Sequence, residues 1–321
     1  MSRKQQPILE NKIFGHIVAV VFFILLGYSL FIASSNMNYI WKWNSVPKYF
    51  AYQQDVTIQA PFDGKVSLKN GIIEVKGKDG VKDFKISKNY KILVDNNEDV
   101  YENDDLATYT TWREGPILSG LFVTLKISGV ALIIAFILAS FLAFMRISNY
   151  QFLKDIATFY IAVIRGTPLL VQIFIFYFII ATIFSIERFY AGAISLGLFY
   201  GAYIAEVLRG AIQSIDKGQT EAAKSLGMNY VQTMGSIIMP QAFKRALPTL
   251  IGEMIALVKD SSLVSVISIT DLTKVGREIV ANTFSPFETW LVVATIYFAI
   301  TFTLSIIGRK LENRMKKQGG M

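Results

Sequence analysis

Cysteine is absent from the 321-residue chain, and histidine occurs once, at His16. The missing thiols exclude disulfide bonds, iron–sulfur clusters and cysteine nucleophiles. A single histidine, in an apolar segment, argues against histidine-based metal sites and catalysis. Charge is also scarce, at 17% of residues, where soluble domains carry about 25%. The chain lacks the Gly-x-x-x-x-Gly-Lys-Ser/Thr phosphate loop, so we do not expect it to hydrolyse ATP.

Apolar residues replace the missing charge and make up 53% of the chain. Six segments are long and apolar enough to cross a hydrocarbon core of about 30 Å. They run over 13–34, 119–145, 157–183, 190–208, 248–269 and 287–308. The first follows basic residues and continues into aromatic residues without a small-residue cleavage site. It therefore predicts a retained anchor and not a signal peptide.

The basic residues predict the orientation of these spans. With the N-terminus inside, the cytoplasmic pieces 1–12, 146–155, 209–245 and 309–321 would hold 15 Lys or Arg residues. The two short outer loops, 184–190 and 270–286, would hold three. The positive-inside rule then places both termini in the cytoplasm and residues 40–115 outside the cell. The net charge of +8 is typical of such loops and needs no nucleic-acid partner.

Residues 40–115 differ from the rest of the chain. They carry 11 Lys or Arg and 12 Asp or Glu, and short alternating runs such as "DVTIQA" and "GIIEVK". Asp-Gly, Asn-Gly and Asn-Asn pairs separate the runs and accept positive φ. The pattern predicts a small extracytoplasmic β domain of about 60 residues, too small for a large core of its own.

Two stretches of this segment, "APFDGKVSLKNGIIEVKG" and "YKILVDNNEDVYENDDLATY", resemble lipoyl-like or barrel-sandwich hybrid domains. The modified-lysine motif of those domains is missing, so we do not expect lipoyl or biotin to be carried. The alternative is a generic β insert that acts as a spacer.

A stretch of small and polar residues lies between two apolar segments, "GQTEAAKSLGMNYVQTMGSIIMP" at 218–240. It contains Glu-Ala-Ala, three residues, Gly, nine residues, Ile, two residues and Pro. This spacing resembles the EAA loop in the membrane subunits of bacterial ABC importers. Met239 stands where the family usually has Leu. Four further stretches resemble the branch that serves polar amino acids: "TLKISGVAL", "RGTPLLVQIFIFYF", "KDSSLVSVI" and "RKLE".

The resemblance covers about 116–315 and implies an all-α integral membrane protein with a five-helix ABC importer permease core. An N-terminal anchor helix would precede that core, with the small β-rich extracytoplasmic domain inserted between them. The expected division is 1–39 for the cytoplasmic N-terminus and anchor, 40–115 for the β domain, and 116–315 for the core. The core would carry the coupling loop at 216–245, and 316–321 would form a cytoplasmic tail.

The implied function is the movement of polar amino acids across the cytoplasmic membrane, driven by two partner ATPase subunits that bind ATP and Mg²⁺. An extracytoplasmic solute-binding protein and a second permease subunit, a copy or a homologue, are the other implied partners. No cofactor, metal or nucleic acid is expected on this chain. Two alternatives stay open. The 218–240 stretch could be an amphipathic hairpin on the membrane surface, or the chain could be a non-transporting membrane adaptor of an export or signalling complex.

The coupling residues implied by the resemblance are Gly218, Glu221, Ala222, Ala223, Gly227, Met228 and Pro240. Ala222 and Ala223 lack bulk, which would let a groove of the ATPase approach the helix backbone. Glu221 is expected near the helix start, where a carboxylate is favoured. Gly227 can adopt the left-handed conformation that ends a helix, and Pro240 is expected to limit further regular helix.

Polar residues inside the predicted spans form a second group, because charge within a bilayer usually faces the bundle interior or a water-filled path. The candidates for a translocation pathway are Arg165, Thr167, Glu206, Glu253, Lys259, Asp260, Ser261 and Ser262. The sequence Gly166-Thr167-Pro168 predicts a helix break beside Arg165. Glu206 could instead be hydrated or paired with Arg209. Lys259 and Asp260 leave the helix about 100° apart; they could form an internal ion pair or line a cavity for a zwitterionic amino acid.

Overall fold

The computed structural model describes residues 12–36, 39–69, 71–87 and 89–317. The predicted cytoplasmic N-terminus at 1–11 and the end of the predicted tail, 318–321, lie outside these ranges. The chain divides into two compact units, Met1–Trp43 and Asn44–Met321. The first contains helix α1, Lys12–Asn36. Its segment Phe14–Ser35 is long and apolar enough to cross a membrane, as expected of the predicted anchor.

The second unit begins with a short helix and seven strands. Helix α2 covers Val46–Phe50. The strands are β1 Ala51–Gln59, β2 Gly64–Lys69, β3 Ile72–Gly77, β4 Gly80–Lys85, β5 Tyr90–Ile92, β6 Asp99–Val100 and β7 Asp105–Glu114. They form two antiparallel sheets, one in the order β1-β7-β5 and the other in the order β4-β3-β2-β6. A β-rich segment is therefore present where the alternating runs predict it.

The turns of this segment use the residues that the sequence indicates. Gly71, Gly80 and Asn97 have φ of 77°, 136° and 69°, values that glycine and asparagine tolerate better than other residues. The buried side chains come mainly from the alternating positions of β2 and β3, with Leu106 from β7. The strand pattern thus supplies one small apolar core between the two sheets.

The remainder of the unit is helical. Helix α3 covers Pro116–Ile147, α4 Gln151–Gly166, α5 Leu169–Ile175, α6 Arg188–Gln213, α7 Lys217–Ser225, α8 Tyr230–Gln232, α9 Met239–Asp260, α10 Leu272–Thr283 and α11 Pro286–Lys317. Two π-helical segments, Phe176–Ala181 and Thr233–Ile238, continue α5 and α8. A 3₁₀ helix, Ser261–Ile267, continues α9.

Helices α3 and α6 form the centre of the helical core and run parallel. A Cβ atom added at Gly197 would lie 2.6 Å from Ile134, and one at Gly201 would lie 2.8 Å from Leu138. The glycines therefore let the two backbones approach closely, as small residues do in membrane helix pairs. Further along both helices, Arg146 at the end of α3 contacts Glu206 of α6. Residues of α3 and α6 thus pair in ascending order, which shows the parallel arrangement.

The predicted spans and the helices agree in part. Among the described residues, Pro116–Ile147, Arg188–Gln213 and Pro286–Met315 are long and apolar enough to cross a membrane, as is Phe14–Ser35 of the first unit. Residues Gln151–Gly166 and Leu169–Ala181 qualify only together, as a pair bent by 109°. The predicted break at Gly166-Thr167-Pro168 is therefore confirmed.

The predicted span 248–269 has different limits in the structure. Helix α9 begins at Met239, nine residues earlier, and ends at Asp260, where the 3₁₀ helix takes over. Its 22 residues are long enough for a span. It is not apolar enough to count as one, because it carries the charged residues Lys244, Arg245, Glu253, Lys259 and Asp260. A run of apolar residues alone could not reveal that the polar segment before it and the predicted span are one helix.

Candidate coupling hairpin and polar interior

The 218–240 stretch folds as a helical hairpin whose first helix, α7, starts at Lys217. Its N-cap is Asp216, whose side chain accepts a hydrogen bond from the Gly218 backbone N–H at 2.6 Å. A side-chain acceptor of this kind satisfies one of the free N–H groups of the first turn. Glu221 lies in the second turn, so the expected position near the helix start is wrong. The favourable carboxylate is supplied by Asp216 instead.

Gly227 ends α7 with φ of 77°. The Gly227 N–H donates to the carbonyl of Lys224 at 2.9 Å, and the Met228 N–H donates to the carbonyl of Ala223 at 3.1 Å. These two bonds form a Schellman motif, which requires a left-handed residue after the helix. The left-handed conformation predicted at Gly227 is confirmed. Leu226, just before it, is 82% exposed, so the tip of the hairpin presents an apolar side chain to its surroundings.

The two alanines face different ways. Ala222 is exposed, whereas Ala223 is 3% exposed and packs inside the hairpin. The expectation that both alanines offer a partner close access to the backbone is therefore wrong for Ala223. A small residue is needed there because the second leg of the hairpin lies against it.

The second leg starts with a capping box, in which Asn229 and Gln232 exchange side-chain and backbone hydrogen bonds of 2.9 and 3.0 Å. It continues through the π-helical segment into α9 without a break. Pro240 lies in the first turn of α9, where a missing N–H is tolerated. The expectation that Pro240 limits further helix is wrong, because the helix extends 20 residues beyond it.

Two contacts close the base of the hairpin. The Gln241 side-chain amide donates to the Gln219 side-chain oxygen at 3.3 Å. The Arg245 guanidinium donates to the Ser214 backbone carbonyl and to its hydroxyl. Both contacts join the first turns of α9 to the region around α7. The hairpin is therefore held to the start of α9 by side chains as well as by the chain itself.

Helix α6 brings polar residues from other helices together. The Tyr200 hydroxyl donates to the Asp260 carboxylate at 2.7 Å, and the Arg165 guanidinium lies over the Tyr203 ring, 5.1 Å from its centroid. Glu253 lies seven residues before Asp260 in α9, which places the two carboxylates on the same side of that helix. Arg165, Glu253 and Asp260 thus form one group of mixed charge along α6.

Glu206 lies one turn beyond this group and is held by two arginines. Arg209 donates to it at 2.8 Å and Arg146 at 3.3 Å. The pairing with Arg209 was one of the two alternatives for Glu206, and Arg146 adds a partner from α3. The carboxylate joins α3 to α6 near the end that leads into the hairpin.

The side chains of Lys259 and Asp260 have different surroundings: Asp260 contacts Tyr200 of α6, and Lys259 lies beside α10 and α11. Within the described ranges, no ion pair joins their side chains. Lys259 and Ser262 line a cavity of about 440 Å³ together with residues of α10 and α11. Ser261 is fully buried, and its hydroxyl donates to the Val258 carbonyl at 2.8 Å. The structure thus separates Lys259 and Ser262 from Ser261, which caps the end of α9.

The helix break beside Arg165 is closed by a side chain that sequence reasoning missed. Gln172 donates to the carbonyl of Ile164 at 2.7 Å and to the Thr167 hydroxyl at 2.7 Å. The Thr167 hydroxyl in turn donates to the Val163 carbonyl at 2.9 Å. The carbonyls of Val163 and Ile164 at the break therefore have side-chain partners.

Asp271 is a further buried carboxylate that sequence reasoning missed. It caps α10 by accepting from the backbone N–H groups of Thr273 and Lys274, both at 3.0 Å. Burial raises the pKa of Asp271 above its ordinary value, and the two N–H donors oppose that shift. The Asp271-Leu272 pair before a polar helix could have suggested an N-cap. Tyr200 and Tyr203 could have been noticed by their i, i+3, i+6 spacing to Glu206.

A search against protein families matches residues 131–317 to the binding-protein-dependent transport system inner membrane component. The match begins inside α3, so the predicted resemblance of residues 40–115 to lipoyl-like domains gains no support from it. The match includes the whole hairpin and every polar residue of the interior group.

Named relatives agree with this family. The chain is 39% identical over 202 residues to the arginine transport system permease protein ArtQ of Bacillus subtilis strain 168, covering 62% of this chain and 92% of the relative. It is 39% identical over 209 residues to the glutamine transport system permease protein GlnP of Escherichia coli K12, covering 64% and 95%.

Solved structures give the same result. A chain of an amino acid ABC transporter crystallised with histidines matches with a TM-score of 0.58 and 41% identity, over 62% of this chain and 94% of that one. An inward-facing MetNI methionine ABC transporter matches with a TM-score of 0.55 and 16% identity, over 62% and 96%; at that identity the likeness concerns the fold alone. With its family match over more than half of its length, this chain belongs to the binding-protein-dependent transport system inner membrane components, the permease subunits of ABC importers.

Proposed function

We propose that this chain is the permease subunit of an ABC importer that moves polar amino acids across the cytoplasmic membrane. The permease is a transport component and not an enzyme, and ATP with Mg²⁺ is bound and hydrolysed by separate subunits. The relatives named for arginine and glutamine transport support the substrate class. The residues of the polar interior support it too, because they offer both signs of charge to a zwitterion.

The observation that carries the proposal is the continuity between the hairpin and the interior. The second leg of the hairpin runs from Tyr230 through the π-helical segment and α9 to Asp260. A helix transmits displacement along its axis because its backbone hydrogen bonds are stiff. A partner that moves the hairpin therefore moves Asp260 and its contact with Tyr200. An adaptor that transports nothing has no need for such a connection.

The proposed docking surface of the ATPase is the exposed side of this hairpin. Gly218, Glu221 and Ala222 are exposed along α7, and Leu226 projects from the tip. Ala223, Gly227, Met228 and Pro240 would set the shape of the hairpin, Ala223 as a buried residue and Gly227 through its left-handed turn. A partner cleft that accepts α7 would contact its exposed residues and Leu226. It would recognise the shape that the other four residues give to the hairpin.

The proposed pathway uses the mixed-charge group of α6 and the separate cavity that Lys259 and Ser262 line. Within the α6 group, Asp260 and Glu253 would face the ammonium group of the solute and Arg165 its carboxylate. Lys259 would meet the solute carboxylate in the second cavity. Thr167 lies at the helix break next to Arg165, and Ser262 beside Lys259. Glu206, clamped by two arginines, and Ser261, turned to a backbone carbonyl, would support the walls and not contact solute.

Five membrane passages are proposed for the core: α3, the bent pair of α4 and α5, α6, α9 and α11. Helix α1 would be a separate anchor. The hairpin and both termini would lie in the cytoplasm and the strands outside, which keeps the division at 1–39, 40–115, 116–315 and 316–321. The proposed assembly contains two ATPase subunits, a solute-binding protein outside and a second permease, with a two-fold axis relating the permeases.

The test compares two identical substitutions in the hairpin. Gly227 and Gly235 both have open space where a Cβ would be added, but only Gly227 has a positive φ. Gly227→Val should abolish capture of the ATPase and amino-acid uptake in reconstituted vesicles, because a β-branched residue is strongly disfavoured at positive φ. Gly235→Val should retain both.

Gly227→Asn provides a second control, since asparagine tolerates the left-handed region. It should restore most of the stimulated ATP hydrolysis that Gly227→Val loses. Normal uptake by Gly227→Val would mean that the hairpin is only a surface helix. If neither wild type nor variants take up any amino acid with the ATPase and binding protein present, the adaptor alternative would replace the importer.

A further inference from the structure

Helix α2 joins the β-rich segment to the helical core. We call the joint formed by Tyr49, Phe50 and Gly115 the root. Tyr49 in α2 is 6% exposed. The Gly115 N–H, just before α3, donates to the Phe50 carbonyl at 2.7 Å. A Cβ at Gly115 would lie 2.2 Å from the Tyr49 carbonyl oxygen, so only glycine fits. The entry and the exit of the segment are therefore fastened to each other at the start of α3.

The Tyr49 hydroxyl reaches a distant part of the chain. It lies 3.1 Å from the Ser285 hydroxyl, a residue 236 positions away in sequence, and 3.2 Å from the Ser45 hydroxyl. Ser285 is fully buried in the connection between α10 and α11. Its hydroxyl also lies 3.5 Å from that of Thr289. A chain of hydroxyl groups thus joins the root to the α10–α11 connection.

Apolar contacts reinforce this joint. Tyr49 belongs to a buried cluster with Ile117 of α3, with Leu272, Val275 and Ile279 of α10, and with Val293 of α11. The root therefore touches three helices of the core at once. A flexible spacer would need none of these contacts.

Residues of α10 and α11 also line the cavity that contains Lys259 and Ser262. Val293 lines this cavity and also belongs to the Tyr49 cluster, and Tyr297 does the same as a partly buried neighbour of that cluster. Thr273 of the cavity wall lies 3.1 Å from the Tyr297 hydroxyl. The Tyr49 cluster and the Lys259 cavity therefore share Val293 and Tyr297 of α11, and α10 contributes residues to both.

We propose that Tyr49 is a positioning residue for transport, which holds the α10–α11 wall of the Lys259 cavity through Ser285 and thereby makes the β-rich segment part of the transport machinery. This inference rests on the proposed function, in which Lys259 and Ser262 line the solute pathway. A hydroxyl–hydroxyl bond suits the role because it fixes direction as well as distance. The aromatic ring of Tyr49 packs in the buried cluster, and its hydroxyl fixes the position of the α10–α11 connection.

The experiment uses the assembled transporter in vesicles, with the ATPase and the solute-binding protein present. Tyr49→Phe removes only the hydroxyl, and Ser285→Ala removes its partner. Tyr52→Phe is the matched control, because Tyr52 lies on β1 and is 36% exposed. Amino-acid uptake per ATP hydrolysed, the binding-protein concentration for half-maximal stimulation and the thermal unfolding temperature are measured for each.

Tyr49→Phe and Ser285→Ala should each lower uptake per ATP by about two- to tenfold, the factor expected for one hydrogen bond. The double variant should lose less than the two single effects combined, because the Tyr49–Ser285 bond is common to both variants. Each single variant also loses contacts of its own, with Ser45 for Tyr49 and with Thr283 and Thr289 for Ser285. All variants should assemble with the ATPase, and Tyr52→Phe should match wild type.

Normal uptake per ATP in Tyr49→Phe, with an active wild type, would overturn the positioning role and leave the importer intact. Loss of assembly or a collapsed unfolding temperature in both single variants would assign the root a purely structural role and also overturn it. A wild type that takes up no amino acid would instead refute the proposed function.

Discussion

Ala222 and Ala223 are adjacent in sequence, but α7 turns their side chains about 100° apart, so one is exposed and the other is buried. A tryptophan at each position should therefore fail for a different reason. Ala222→Trp should block the ATPase while leaving the hairpin folded. Ala223→Trp should overpack the hairpin and destabilise it by about 1–3 kcal/mol. Capture of the ATPase and limited proteolysis of the hairpin distinguish the two effects.

Both variants should lose ATPase capture, and only Ala223→Trp should become sensitive to protease within 217–240. Ala222→Ser is the control, since serine adds a single atom at the exposed position and should bind the ATPase normally. Protease sensitivity in Ala222→Trp equal to that in Ala223→Trp would contradict the exposure of Ala222.

Single residues were predictable where one local rule decides the conformation. Gly227 follows a helix and precedes a second one, so a left-handed residue was expected there. The helix start was not predictable in the same way, because Asp216 and Glu221 are both acidic and either could stand near an N-terminus. The bond from Tyr200 to Asp260 joins residues 60 positions apart, and no local rule could reveal it.

Gln172 stabilises the bend between α4 and α5, because its side chain bonds the Ile164 carbonyl and the Thr167 hydroxyl. Gln172→Leu should leave the Ile164 carbonyl without its donor in an apolar environment, which costs about 1–3 kcal/mol. The free energy of unfolding in mixed detergent micelles should fall by that amount. Gln151→Leu is the matched control, because Gln151 is exposed at the start of α4 and donates to the exposed Asp155 side chain.

Gln151→Leu should change the free energy of unfolding by less than about 0.5 kcal/mol, as exposed substitutions usually do. Equal stability of the two variants would show that water or another side chain satisfies the break. Membrane insertion should be normal in both, since each substitution adds an apolar side chain.

Whole elements were predictable where composition and length agree. The starts of α3, α6 and α11 were expected within three residues, whereas α6 and α11 end five and nine residues after the predicted runs. Gly-Thr-Pro marked the break before α5. Helix α9 was expected too late in the chain, because its first half is polar and resembles a loop when only hydropathy is read. Its continuity with the hairpin arises from the π-helical segment Thr233–Ile238, which has no pattern of its own.

At the scale of the molecule, the parallel α3 and α6 set where the hairpin and the strands lie. The strands lead into the start of α3, and α6 leads into the hairpin at its far end. Helix α3 has 32 residues and is therefore about 48 Å long, more than the hydrocarbon thickness of a bilayer. The charge bias predicted opposite sides for the two parts. The attachment of the strands to α10 and α11 was not predictable, because Tyr49 and Ser285 are distant in sequence.

The opposite ends of α3 give a direct test of orientation in whole cells. The chain contains no cysteine, so single cysteines report without background. Lys78 in the β3–β4 turn and Gln219 in α7 are both exposed and can each be replaced by cysteine. A membrane-impermeant thiol reagent should label Lys78→Cys in intact cells, because the strands are proposed to lie outside. Gln219→Cys should be labelled only after permeabilisation, because the ATPase side is inside.

Val66→Cys is the control for folding, since Val66 is 1% exposed. It should stay unlabelled in intact and in permeabilised cells, and react only when the protein is denatured. Labelling of Gln219→Cys but not Lys78→Cys in intact cells would reverse the orientation and make ATPase docking on this hairpin impossible.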